Sequence, residues 1–220
     1  MTQRLSTCVL TLLLVGFCGL ADAQPRLDVS GGVRWSGAVR FGSVSANETA
    51  AGGTARPLFS TSTALDASVG TTVGVGVRLS RQLRATTSVS YSATHLSTAI
   101  TGDTEGAAGL TAKEDVKQFV FDAGLQTRLS RWERPWASPF VSAGVGYLRQ
   151  LNAGRTLVQS GQTAYIGAGL YYVEASRRLG RIRATGVRGE VRAVGLRGGV
   201  APDHQVRLSP AVSASVFAWF

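Results

Sequence analysis

From Leu65 to Leu79 the chain alternates with a period of two. The odd positions read Leu65, Ala67, Val69, Thr71, Val73, Val75, Val77 and Leu79, and the even ones Asp66, Ser68, Gly70, Thr72, Gly74, Gly76 and Arg78. Successive side chains of a strand point to opposite faces, so this is a strand with one apolar face and one face lacking any large apolar residue. The same contrast runs from Lys117 to Leu129. There Phe119, Phe121, Ala123, Leu125 and Leu129 oppose Gln118, Asp122, Gly124, Gln126 and Arg128, with Val120 the exception.

Eight such segments can be laid out, at residues 27–37, 64–79, 83–95, 116–129, 138–148, 163–176, 185–194 and 205–220. Most exceed the usual length of about five or six residues for strands of soluble sheets, and they suit a tilted strand crossing a bilayer, which needs about 9–11. The connections alternate in size. Segments two and three, four and five, and six and seven are joined by short stretches beginning Ser80-Arg81, Ser130-Arg131 and Ser176-Arg177. The other connections are longer and rich in Gly, Ala, Thr and Ser, above all residues 38–63. Short turns at one end and long loops at the other is the polarity of outer-membrane barrels, the short turns being periplasmic.

A sheet in hydrocarbon must close on itself, because no backbone group there finds water, and its outer face must be apolar. The Leu/Val/Phe faces are therefore expected to meet lipid and the Asp/Arg/Ser/Gly faces to point inward. Alternation alone fits a soluble barrel with the faces reversed. Export, strand length and loop asymmetry favour the membrane.

Export is indicated by MTQRLSTCVLTLLLVGFCGLADAQ, in which Arg4 precedes an apolar run from Val9 to Leu20 and small residues stand at Ala21 and Ala23. This reads as a signal peptide spanning residues 1–23, with the barrel domain at 24–220. Cys18 follows Phe17, where a lipidation signal needs a small side chain. Both cysteines, Cys8 and Cys18, fall in this leader, which excludes disulfides, thiolate metal sites and Cys nucleophiles from the mature chain. No cofactor or metal is expected, and 27 glycines argue against a helical bundle. The net charge of +10 survives loss of Arg4 and Asp22, and in an exported chain it points to anionic lipid rather than nucleic acid.

The inward faces carry charges. Arg188, Glu190 and Arg192 alternate on segment seven, and Arg78, Asp122, Arg128 and Glu174 share their facing. The interior of eight strands is just wide enough for side chains to fill, so these groups should pair across the lumen and occlude it. The short turns concentrate Arg81, Arg84, Arg131, Arg134, Arg177, Arg178, Arg181 and Arg183, read as anchors at the headgroup boundary, with Trp132 and Trp136 as an interfacial girdle. His95-Leu96-Ser97, with Asp103 and Glu105 nearby, is a triad-like set. It resembles the His-x-Ser pair of outer-membrane hydrolases that remove acyl chains from lipid A, except that Thr98 stands where that pattern has Asn. The non-enzymatic reading is preferred.

The chain ends VSASVFAWF. A terminal aromatic after an alternating strand resembles the signal read by the barrel-assembly machinery. Phe220 matches it, whereas Ala218 departs from the large apolar residue usual two places earlier. SPFVSAGVGY at 138–147, GVRGEVR at 186–192 and the final Phe220 together resemble the OmpA/OmpX-type, opacity-protein-like outer-membrane β-barrels. That resemblance implies an eight-stranded antiparallel up-and-down transmembrane barrel. Its expected partners are outer-membrane lipid, the assembly machinery and an extracellular ligand met through the loops. The role expected is structural or surface-interacting, with a narrow channel and a lipid A hydrolase as alternatives.

Overall fold

The computed structural model describes residues 27–49, 55–102, 109–152, 158–174, 182, 184–200 and 205–220, with the backbone alone at 48, 49, 55–57 and 174. The leader, and therefore its cleavage site, lies outside the described residues.

Ten antiparallel strands form one sheet. They are β1 (Leu27–Ser36), β2 (Val39–Thr49), β3 (Ala55–Leu65), β4 (Ser68–Arg78), β5 (Leu83–Thr101), β6 (Leu110–Arg128), β7 (Ala137–Asn152), β8 (Val158–Glu174), β9 (Ala184–Gly198) and β10 (Arg207–Trp219). β1 pairs with both β10 and β4, each later neighbour pairs in turn, and β5 with β6 completes the ring. The sheet is a closed barrel of eight staves, because β1 runs on into β2 and β3 into β4 across breaks of two residues each. The first break has a visible cause. Pro210 on β10 lacks the N–H that a ladder partner would donate, and a Cβ on Gly37 would sit 2.8 Å from its ring. The chain leaves the ladder there, held by Gly37 N–H donating to Pro210 O at 2.8 Å and Ser209 Oγ donating to Gly37 O at 3.0 Å.

Most of residues 38–63, expected as an irregular loop, is the β2–β3 hairpin. Its base, Val39, Phe41 and Leu65, packs into the barrel, but the Ser- and Thr-rich stretches beyond show no alternation because neither face there is held to lipid or to a packed core. β3 pairs with β5, and β5 with β6 all the way to Ile100↔Leu110. Strands β2, β3, β5 and β6 therefore rise together as a sheet at the end away from Leu27 and Phe220. β5 has 19 residues, about 60 Å at 3.3 Å per residue, well beyond an apolar band about 25 Å tall even when tilted.

The facing is regular. On β9, Ala184, Gly186, Arg188, Glu190, Arg192 and Val194 are buried while Thr185, Val187, Gly189, Val191 and Ala193 are exposed. Burial here means the lumen. Val69, Val145, Ile166, Val191 and Val216 are each 58–68% exposed on the outer wall. Apolar outside and polar inside is the order demanded by hydrocarbon, and the reverse of a soluble barrel.

Candidate functional site: the lumen

The lumen is filled in three tiers, and each tier follows from what the inward positions supply at that height. At the end carrying Leu27 and Phe220, Phe140, Tyr171 and Phe217 are almost fully buried, with Tyr171 edge-on to Phe217 at 5.2 Å. Arg84 enters this cluster 5.1 Å from the Tyr171 ring centre and 5.4 Å from that of Trp219, and Arg128 stands 4.9 Å from Trp219. Arg84 pairs with Asp28 at 3.0 Å and donates to the Tyr171 hydroxyl at 2.9 Å, which donates in turn to Gln126 Oε1 at 2.6 Å.

The middle tier is a continuous ionic chain. Arg34 meets Asp122 Oδ2 at 2.8 Å, and Arg192 meets the same oxygen at 3.3 Å. Arg192 also grips Glu190 with two donors, Nε at 2.8 Å and Nη2 at 2.9 Å, the parallel geometry that makes Arg–carboxylate pairs strong. Ser142 Oγ donates to Glu190 at 2.6 Å, and the Arg192 guanidinium lies 4.2 Å from the centre of the Tyr165 ring. Room for these groups comes from glycines on facing strands. A Cβ on Gly144 would meet Tyr165 Cε1 at 2.7 Å, and one on Gly146 would collide with Asp122.

The third tier, at the far end, is mostly apolar. Val39, Leu65 and Val116 are buried together, with Phe41, Leu96, Leu196 and Val200 packed on them. Gln150 donates to Gln118 at 3.0 Å and accepts from the Val200 amide at 2.8 Å, drawing the start of the β9–β10 connection across the mouth. A cavity of about 40 Å³ beside Gln118, Val120, Leu148 and Val194 has room for a few water molecules only.

Of the residues anticipated in the lumen, Asp122, Glu190 and Arg192 lie in direct contact. Arg188 is buried and acts electrostatically on both Asp28 and Glu190. Arg128 sits in the lower tier, 3.7 Å from Glu133, and Arg78 pairs in register with Arg84. The Glu174 side chain lies outside the described residues. Arg84 requires correction: it is not at the headgroup boundary but inside, because it occupies the polar register of β5 with Ser90 and Thr94 and has Asp28 to neutralise it. Arg81, Arg131 and Arg134 are exposed at the short turns, while Arg177, Arg178, Arg181 and Arg183 fall outside the described residues. Asp28, Arg34 and Tyr171 were missed, although the alternation of β1 and β8 places all three on the inward face.

On the outer wall, His95 Nδ1 lies 2.7 Å from Asp115, and the anticipated Asp103 and Glu105 lie outside the described residues. Ser97 Oγ donates to Asp66 Oδ2 at 3.0 Å, so the Asp holding Ser97 differs from the one holding His95. At the C-terminus Phe217 is buried, whereas Val216, Ala218 and Phe220 fall on the outward register. Phe220 is 38% exposed and its N–H donates to Leu27 O at 2.9 Å.

No family model and no curated relative matches the sequence. Solved structures do. The outer membrane protein OprG of Pseudomonas aeruginosa aligns over 89% of this chain and 94% of its own, with a TM-score of 0.50 and 12% identity. Neisserial surface protein A aligns over 89% of this chain and 97% of its own, with a TM-score of 0.50 and 13% identity. At such identity the likeness is one of fold, and it agrees with the apolar outer wall and polar lumen. The chain therefore has the fold of the small outer-membrane β-barrels of the OmpA/OmpX type.

Proposed function

We propose that this protein is a non-enzymatic outer-membrane barrel, exported through the leader at residues 1–23, whose lumen is closed and whose work lies at the extracellular surface. The observation carrying this reading is the chain Arg34–Asp122–Arg192–Glu190–Ser142 across the middle of the lumen, with every side chain at or below 10% exposure. Such a chain leaves no aqueous column, and the aromatic tier below and the apolar tier above reinforce it. Transport through the barrel would require breaking buried ion pairs, which costs several kcal/mol.

The surface role falls to the raised sheet of β2, β3, β5 and β6. β2 is its outer strand. Arg207 secures the base of β2 by donating to the Arg40 and Phe41 carbonyls, each at 3.1 Å, and beyond that point the edge from Ser43 onward has no strand beside it among the described residues. An open strand edge with exposed Val44 is suited to an extended segment of another protein. The test is conductance in planar bilayers. Closed traces for the wild type support the reading, and steady openings overturn it in favour of a narrow channel.

A further inference from the structure

We propose that the outer wall at the extracellular rim of β6–β9 binds the phosphorylated headgroup of an outer-leaflet lipid, held by Lys117, Arg149 and Arg197. The outward positions of these strands are apolar through the wall: Phe121 and Leu125 on β6, Val141 and Val145 on β7, Ile166 and Leu170 on β8, and Val187 and Val191 on β9. Aromatic side chains then mark the upper border of this band, Phe119 on β6 and Tyr147 on β7. A girdle of aromatics stands where hydrocarbon gives way to headgroups. The next outward position on each of those two strands is a cation, Lys117 beyond Phe119 and Arg149 beyond Tyr147. On β9 the outward series ends on Arg197.

The register gathers these groups. Phe119 pairs with Arg149, and Lys117 with Leu151, so Lys117 and Arg149 are diagonal neighbours about 7–8 Å apart. Arg149 pairs with Ser160, and Tyr147 with Gln162, which pairs in turn with Arg197. The two arginines thus flank β8, with a hydroxyl and an amide between them. An open groove of about 470 Å³ lies here, lined by Tyr147, Ser160, Gln162 and Arg197 with Gly161 and Gly198, and the Tyr147 hydroxyl is 2.7 Å from Ser160 Oγ. Among the described residues none of the three cations meets a carboxylate. The nearest acid on the same face of β6, Asp115, is engaged by His95 at 2.7 Å.

Arginine forks suit phosphate oxygens, and Ser160 and Gln162 suit sugar hydroxyls, so the chemistry fits a phosphorylated glycolipid. Its acyl chains would lie against Val145, Ile166 and Val191 directly below. A soluble anion has no use for that apolar wall.

The test reconstitutes the protein in phosphatidylcholine vesicles alone, with bis-phosphorylated lipid A, or with lipid A stripped of phosphate. Retained lipid is read by native mass spectrometry, and stability by the temperature at which the folded gel band converts to the unfolded one. The wild type should retain lipid A and convert at a higher temperature only when the phosphates are present. Inorganic phosphate should do neither. Lys117→Gln/Arg149→Gln/Arg197→Gln should bind about a hundredfold more weakly, each cation beside an anionic headgroup contributing about fivefold, with its behaviour in phosphatidylcholine unchanged. Equal retention of the phosphate-free lipid by the wild type overturns the proposal, whatever the variant does. So does an equal loss from Arg131→Gln/Arg134→Gln at the opposite rim.

Discussion

Replacing Glu190 by alanine would leave Arg192 in the lumen without the carboxylate that takes two of its donors at 2.8 and 2.9 Å, and would strip Ser142 of its acceptor at 2.6 Å. The Glu190 side chain is wholly buried and that of Arg192 is 9% exposed, so water does not replace what is lost. Removing one member of a buried pair costs about 3–5 kcal/mol, most of it the penalty of the charge left behind. Arg192 keeps Asp122 at 3.3 Å, which places Glu190→Ala at the lower end, about 3 kcal/mol. Removing both partners takes away the stranded charge, so Glu190→Ala/Arg192→Ala should be less destabilised than the sum of the singles by about 1–3 kcal/mol. Guanidinium unfolding in micelles, followed by loss of the heat-modifiable folded band, measures all three. A Glu190→Ala variant within about 0.5 kcal/mol of the wild type, or strictly additive singles, would refute the account of the middle tier.

Other variants probe the rest of the barrel. Gly144→Ala puts a methyl group against the Ala123 carbonyl oxygen and the Tyr165 ring, whose Cε1 and Cζ stand 2.7 Å from the new Cβ, and should cost about 1–3 kcal/mol; an unchanged unfolding midpoint would show that the β6 backbone and Tyr165 both yield freely. Phe220→Ala should lower the yield of assembled, heat-modifiable protein in cells while leaving protein refolded in vitro stable, and equal yields would remove the terminal residue from any role in assembly. Ser97→Ala should leave the acylation of lipid A unchanged by mass spectrometry, because its hydroxyl is held by Asp66 rather than His95. A lost deacylated species would reinstate the hydrolase reading.

Much of the barrel can be read from alternation, and the reason is physical. Where one face meets hydrocarbon and the other a packed polar lumen, as in β4, β6 and β9, the solvent enforces a period of two. Hence Asp122, Glu190 and Arg192 are recognisable as inward before any pairing is known. The β2–β3 hairpin escaped because outside the membrane neither face is constrained, and Ser and Thr serve both. Arg84 escaped because it follows a turn rich in arginines, and only its register with Thr86 and Ser90 separates it from them. Alternation also says nothing about height. That Phe140, Tyr171 and Phe217 stack at one end while Val39, Leu65 and Val116 close the other depends on the stagger between strands. The same stagger resolves the terminal segment, where Ala218 shares the outward register with Phe220 and the bulkier Phe217 fills the lumen.

Adjacent positions on one strand offer the most direct test of the closed barrel. Ser215 is 4% exposed and inward, and Val216 is 62% exposed and outward. Single cysteines carrying spin labels at these two sites, in lipid bilayers, report collisions with oxygen dissolved in the hydrocarbon and with a water-soluble nickel complex. The label at 216 should meet oxygen and not nickel, and the label at 215 should meet neither. Strong nickel contact at 215 would mean a water-filled pore, and nickel contact at 216 would mean that the outer wall is not in the membrane.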